Sequence, residues 1–220
     1  MNKDFLNHLI KKSDLNNTDY LVYNQSKTRK NNAEQITFNT LSNPNFKDYI
    51  VLDFETTGLS YINDKIIEIG AIKVENNVIK DKFDTLINPK CPIPPFISNK
   101  INITNDMVKN KPFIEDIFKN FISFLEDLPL VIHNAKFDMK FLLTNCKNLG
   151  FNINNCVLDT VSTTKILFPE LKKYNLNFLC NYFNISNLNT HRAMSDVLAT
   201  YELYKILYNT QINSNKKDYC

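Results

Sequence analysis

A chain of 220 residues with 43% hydrophobic and 22% charged side chains and no tryptophan is a globular protein large enough to bury a sizeable core. Its net charge of +3 permits a nucleic-acid partner without demanding one. Five scattered cysteines with no CxxC pair argue against a disulfide framework and a zinc site, and no apolar run reaches the ~18 residues of a membrane helix.

Residues 1–47 read as a small helical appendage followed by a polar linker. Phe5, Leu6, Leu9 and Ile10 can form one side of a short amphipathic helix. After Tyr23 the chain turns polar, and its basic cluster Lys27, Arg29 and Lys30 fits a solvated linker. No signal peptide is legible at the N-terminus, so a reducing, cytoplasmic setting is expected.

From residue 48 the pattern sharpens. Ile50, Val51 and Leu52 read as a buried strand broken by Gly58, and two carboxylates, Asp53 and Glu55, stand at its end. Side chains at i and i+2 of a strand share a face, so both acids aim at one spot. Like charges held that close repel, and a hard divalent cation such as Mg²⁺ is the natural ligand for the pair. Residues 65–74 predict a central strand, and residues 78–87 a third strand, completing an antiparallel meander. Helices are predicted near residues 95–101, 105–109 and 113–125. The last carries Phe118, Phe121 and Phe124 at helical spacing, which reads as core rather than as a base-stacking platform. Leu130–Ile132 reads as a fourth strand, residues 135–149 as a helix closed by Gly150, and Val157-Leu158 as a fifth strand. Helices at residues 160–167, 176–183 and 192–207 complete a domain spanning 48–208, with a short tail at 209–220. Antiparallel strands followed by alternating strands and helices give an α/β fold with a mixed five-stranded sheet.

Three later residues extend the pair of acids. Asp138 falls in the first turn of the helix after the fourth strand, where the helix N-terminus favours an ionised carboxylate. His191 and Asp196 lie at the start of the last helix, five residues apart. Were both helical they would diverge in angle, so His191 is placed in the loop and Asp196 on the helix. In order and spacing, Asp53-Phe-Glu55-Thr-Thr-Gly58, His133-Asn-Ala-Lys-Phe-Asp138 and His191-Arg-Ala-Met-Ser-Asp196 resemble the three motifs of the DEDDh, or DnaQ-like, 3′→5′ exonucleases. Within that family the chain looks most like the proofreading epsilon subunit of bacterial DNA polymerase III and the exonuclease domain of the Gram-positive replicative polymerase. Residues 66–70, 83–89, 102–104 and 157–160 strengthen the likeness.

The resemblance implies a ribonuclease-H-like fold, in which the fourth and fifth strands lie beside the first, and hydrolysis with two Mg²⁺ or Mn²⁺ ions. By position, Asp53, Glu55 and Asp196 would hold the first ion, Asp53 and Asp138 the second, and His191 would be the general base. Thr56, Thr57, Gly58 and Leu59 would approach the terminal nucleotide. Leu59 has two readings, a wedge against a base or a core contact at the strand end. His133 and Asn134 would shape the turn before Asp138, and Phe137 would be core. The expected substrate is a single-stranded 3′ end, DNA before RNA, with release of nucleoside 5′-monophosphates. Exoribonuclease activity and a polymerase-associated binding module are the alternatives. No clamp-binding peptide or long polymerase-binding tail is legible, so a stand-alone exonuclease of repair or turnover is preferred over a polymerase partnership.

Overall fold

The computed structural model describes residues 40–41 and 45–217, with side-chain burial described for 45–213. The helical appendage and basic cluster expected upstream therefore lie outside the described residues. Six strands form one sheet in the order β1-β6-β5-β2-β3-β4. They are β1 (Thr40–Leu41), β2 (Tyr49–Thr56), β3 (Ile66–Glu75), β4 (Val78–Leu86), β5 (Leu130–Ile132) and β6 (Val157–Asp159). The antiparallel meander β2–β3–β4 is as expected, and β5 and β6 add in parallel beside β2. The sequence predicts five strands; the sixth is two residues long and pairs in parallel with β6. A two-residue strand is too short to leave a period-two signature.

Seven helices follow among the described residues: α1 (Pro95–Ile101), α2 (Asn105–Val108), α3 (Ile114–Leu125), α4 (Ala135–Leu149), α5 (Thr160–Leu167), α6 (Leu176–Phe183) and α7 (Ala193–Lys217). Gly150, at φ 76°, caps α4 in the left-handed region as its position predicts. Helix α7 continues through most of the stretch expected as a tail at 209–220.

Strand alternation sorts the core onto two faces. Ile50, Leu52 and Phe54 pack with Phe118, Phe121 and Leu125 of α3 and with Met139, Phe141 and Leu142 of α4. Phe118 and Phe121 are fully buried, and each contributes roughly 1.5–3 kcal/mol by leaving water. Tyr49 and Val51 point the other way. They pack with Ile72 and Val74 of β3 and with Val197, Tyr201 and Tyr204 of α7. Tyr204 also ties Phe46 to this face: its hydroxyl accepts from the Phe46 N–H at 2.8 Å and donates to the Phe46 carbonyl at 3.0 Å. Phe46, ahead of residue 48, is thus held against the sheet. No helix among the described residues is long and apolar enough to cross a membrane.

Candidate active site

Asp53 and Glu55 continue the Tyr49–Val51 face of β2 by the same alternation, and so project beneath the start of α7. Neither is paired with a cation at bonding distance among the described residues. Burial holds the Asp53 carboxyl well above the usual carboxylate range, reinforced by the charges of Asp138, Glu55, Asp196 and Glu68. Burial also pushes Glu55 up to about 8, with Asp196, Glu68 and Asp138 adding to it and Lys100 opposing.

Asp138 enters from the first turn of α4. Phe54 lies beyond the last β2–β5 pair at Val51, and its N–H donates instead to Asp138 Oδ1 at 3.0 Å. The carboxylate thus takes the place of a strand partner. The sequence predicts that the helix N-terminus keeps Asp138 ionised. Burial pushes its pKa up to about 8, against the hydrogen bonds from Phe54 and the helix start, which act in the expected direction.

His191 and Asp196 arrive from the opposite side. As predicted, His191 stands before the helix, at φ 64°, and Asp196 is on α7. The His191 N–H donates to Asp196 Oδ2 at 3.2 Å, and the Asn187 amide donates to Oδ1 at 2.6 Å. Burial nevertheless raises the Asp196 pKa. One potential ligand atom each from Glu55, His191 and Asp196 lies within 4.8 Å of the other two. The first-ion set expected from sequence was Asp53, Glu55 and Asp196. This grouping brings Glu55 and Asp196 of that set together with His191, and Asp53 and Asp138 adjoin it electrostatically.

The segment after Glu55 divides between loop shape and exposure. Thr56 and Thr57 are buried. The Thr56 hydroxyl donates to the Gly58 carbonyl; that of Thr57 donates to Asp64 Oδ1 at 3.2 Å and accepts from the Lys65 N–H. These side chains shape the loop rather than face outward. A Cβ on Gly58 would lie 2.5 Å from the Asp64 carboxylate, so the loop closes tightly there. Leu59 is 82% exposed, which removes its core reading. It lines a cavity of about 210 Å³ together with Tyr61, Lys136, Phe137, Lys140 and Phe141. A larger hollow of about 330 Å³ at the far end of α4, around Cys146 and Phe151, is lined by none of the predicted site residues.

Around Asp138, His133 and Asn134 shape the turn as expected. His133 Nδ1 lies 2.8 Å from Thr160 Oγ1, and burial lowers its pKa to about 4. Asn134 takes φ 63°. Two residues without an assigned role in the sequence reading now have one. Asp159 accepts from the N–H groups of Asn134, Ala135 and Val161, so it caps the starts of α4 and α5 together. Asn187 holds Asp196, and accepts in turn from Ser195 Oγ at 2.7 Å. An Asp before a helix-starting Thr is a legible cap. Asn187 left no local signal.

Carboxylate oxygens with one imidazole suit hard divalent cations such as Mg²⁺ or Mn²⁺. Burial, reinforced by the neighbouring carboxylates, raises Asp53 and Glu55, a cost that such a cation would offset. A stability prediction follows with a definite sign. The folded pKa values of Glu55 and Asp138, about 8, lie above ordinary unfolded values near ~4, so the folded state binds more protons and loses stability as pH rises between them. In chelator, the thermal midpoint should fall from about pH 5 to about pH 8. Mn²⁺ should restore it most at the alkaline end. Differential scanning fluorimetry across that range checks both slopes.

A family model described as exonuclease matches residues 50–204. DNA polymerase III PolC-type of Caldanaerobacter subterraneus subsp. tengcongensis is 44% identical over 157 residues, covering 71% of this chain and 11% of that protein. The protein of the same name from Bacillus subtilis is 40% identical over 179 residues, covering 76% and 12%. The chain therefore spans only about a tenth of the length of these curated relatives. Among solved structures, Exonuclease X in complex with 5′ overhanging duplex DNA is 28% identical with a TM-score of 0.62, over 74% of this chain and 92% of that one. E. coli Exonuclease I in complex with a dA16 oligonucleotide has a TM-score of 0.67 over 76% of this chain and 42% of that one. At 21% identity, that second likeness shows the fold alone.

Proposed function

This chain belongs to the exonuclease family, and from that premise we propose that it removes nucleotides from the 3′ ends of single-stranded DNA, one 5′-monophosphate at a time. The observation that carries the reading is the meeting of Glu55, His191 and Asp196 within 4.8 Å from a strand, a loop and a helix. Asp53 and Asp138 close the remaining sides of the same cluster.

In this reading Asp53, Glu55, Asp138 and Asp196 would hold two Mg²⁺ or Mn²⁺ ions. When bound, the ions supply Lewis acidity to water and to the phosphate oxygens. His191 takes the proton from the attacking water, a task suited to the side chain that titrates nearest neutrality. Its backbone N–H fixes it beside Asp196. Asn187 and the Phe54 N–H keep the Asp196 and Asp138 carboxylates aimed inward. Residues 48–208 form the catalytic unit, supplemented by Thr40–Leu41 at the sheet edge.

The cavity beside Leu59 would receive the strand. Leu59 and Phe137 would offer it apolar surface, and Lys136 and Lys140, one turn apart on α4, would face its phosphate backbone. Replacing both lysines by alanine should weaken binding and raise KM several-fold while kcat changes little. Each lysine that contacts a phosphate adds roughly 0.7 to the salt slope for single strands, so the doubly substituted protein should lose up to about 1.4. Fluorescence anisotropy in the presence of chelator, at several salt concentrations, measures that slope.

DNA is preferred over RNA because the relatives are named as DNA polymerases and Exonuclease X was solved with DNA. The same names favour work alongside a replicative polymerase over the stand-alone role preferred from sequence. The test uses 5′-labelled DNA and RNA of matched sequence with Mg²⁺, Mn²⁺ or chelator. A metal-dependent ladder shortening from the 3′ end of DNA supports the reading. Faster shortening of RNA would replace it with an exoribonuclease, and cleavage of neither would leave only a binding module.

A further inference from the structure

On β3, the residues paired in register with the two acids of β2 are Gly70, opposite Asp53, and Glu68, opposite Glu55. Cross-strand partners share a face, so both point with the acids toward the start of α7. Glu68 is 1% exposed, and a carboxylate placed opposite another is unfavourable unless something answers its charge. Arg192, the residue after His191, does so. Its Nη2 lies 2.6 Å from Glu68 Oε1, and its Nε is shared between Oε1 at 3.1 Å and Oε2 at 3.2 Å. Glu68 Oε2 also accepts from the Ala193 N–H at 2.9 Å. Both oxygens are thus engaged by Arg192 and the first N–H of α7, which leaves Glu68 a holder of the helix start rather than a fifth ligand. At Gly70 the helix start comes so close that an added Cβ would lie 2.6 Å from the Ala193 carbonyl carbon. No flexible side-chain tip is there to yield.

We propose that Glu68 and Gly70 are positioning residues that seat the His191–Asp196 segment directly over Asp53 and Glu55. Gly70 sets the depth of the seat, and Glu68 sets its lateral register through the forked Arg192 contact. One strand, β3, therefore reads the positions of both acids on β2 and transmits them to the residues that complete the site. Because His191 sits at φ 64° immediately before Arg192, releasing the clamp frees the imidazole and Asp196 together.

The inference rests on the nuclease reading of the five residues, and the test separates the two. Mn²⁺ binding by calorimetry and steady-state cleavage of a single-stranded oligodeoxynucleotide are measured on the full chain. Wild type is compared with Glu68→Gln, Gly70→Ala, Arg192→Ala and Arg192→Lys, with folding checked by circular dichroism. Glu68→Gln keeps size and shape but replaces one accepting oxygen with an amide that cannot receive an N–H. Its Mn²⁺ affinity and kcat should each fall about 10–100-fold, the usual effect of losing an outer-shell partner, with KM within about twofold by the same reasoning. Gly70→Ala should move both in the same direction, and Arg192→Lys should recover part of what Arg192→Ala loses. Should Glu68→Gln fail to fold, Gly70→Ala and Arg192→Lys decide. Wild-type Mn²⁺ affinity and kcat in folded Glu68→Gln and Gly70→Ala would overturn the proposal, as would activity that falls only with the folded fraction. A wild-type chain that binds Mn²⁺ but cleaves nothing would sink the nuclease reading, and the Mn²⁺ affinities alone would still decide the positioning claim.

Discussion

Replacing Asp53 by asparagine is expected to take DNA cleavage to background and, at the same time, to stabilise the metal-free protein. Both outcomes have one cause. Asp53 is pressed on by the charges of Asp138, Glu55, Asp196 and Glu68 as well as by burial, so its negative charge is a cost to the fold without a cation. Asparagine keeps the shape and leaves the β2 backbone pairing to Gly70 intact. In chelator at pH 8 the thermal midpoint should therefore rise, while the further rise on adding Mn²⁺ should shrink. Cleavage should fall by more than the ~10²–10⁴-fold that a general base contributes, because the residue assigned to both ions is lost. Opposite signs in stability and activity mark a site held under strain for function. A fall in both would point instead to a merely structural Asp53.

His191→Asn is expected to lower kcat by about 10²–10⁴-fold while leaving the fold and the oligonucleotide KM close to wild type. Asparagine is among the residues that best tolerate a left-handed backbone, so φ 64° is kept. The bond from residue 191 to Asp196 comes from the backbone N–H and survives the change. Only the imidazole is removed. Mn²⁺ affinity separates the two roles, because His191 lies within the candidate ligand group. An unchanged affinity marks a base, and a large loss of affinity marks a ligand.

Much of this site can be read in the sequence because its chemistry is local. Asp53 and Glu55 share a face by strand alternation alone, and the five-residue gap between His191 and Asp196 places one in the loop and one on the helix. What stays hidden depends on partners far away in the chain. Glu68 lies 124 residues from Arg192, and nothing in the stretch around it foretells that strand register will set it opposite Glu55. Asn187 reaches Asp196 from an irregular loop with no periodic signal. The environment of Asp138 is legible only in part, for a related reason. Its place at a helix start is local and legible, whereas the burial that outweighs it is a property of the assembled fold. Leu59 divides the same way, since a hydrophobic residue after a strand suggests core or wedge equally until its exposure is known.

The most direct test of the central claim is digestion of a single-stranded oligodeoxynucleotide in water enriched in oxygen-18, with Mg²⁺ present, followed by mass spectrometry of the released mononucleotides. Attack of water on phosphorus with departure of the upstream 3′ oxygen predicts 5′-monophosphates that each carry one heavy oxygen on the phosphate. Products bearing a 3′-phosphate, or internal fragments without mononucleotides, would contradict the assignment of these five residues to 3′-end hydrolysis.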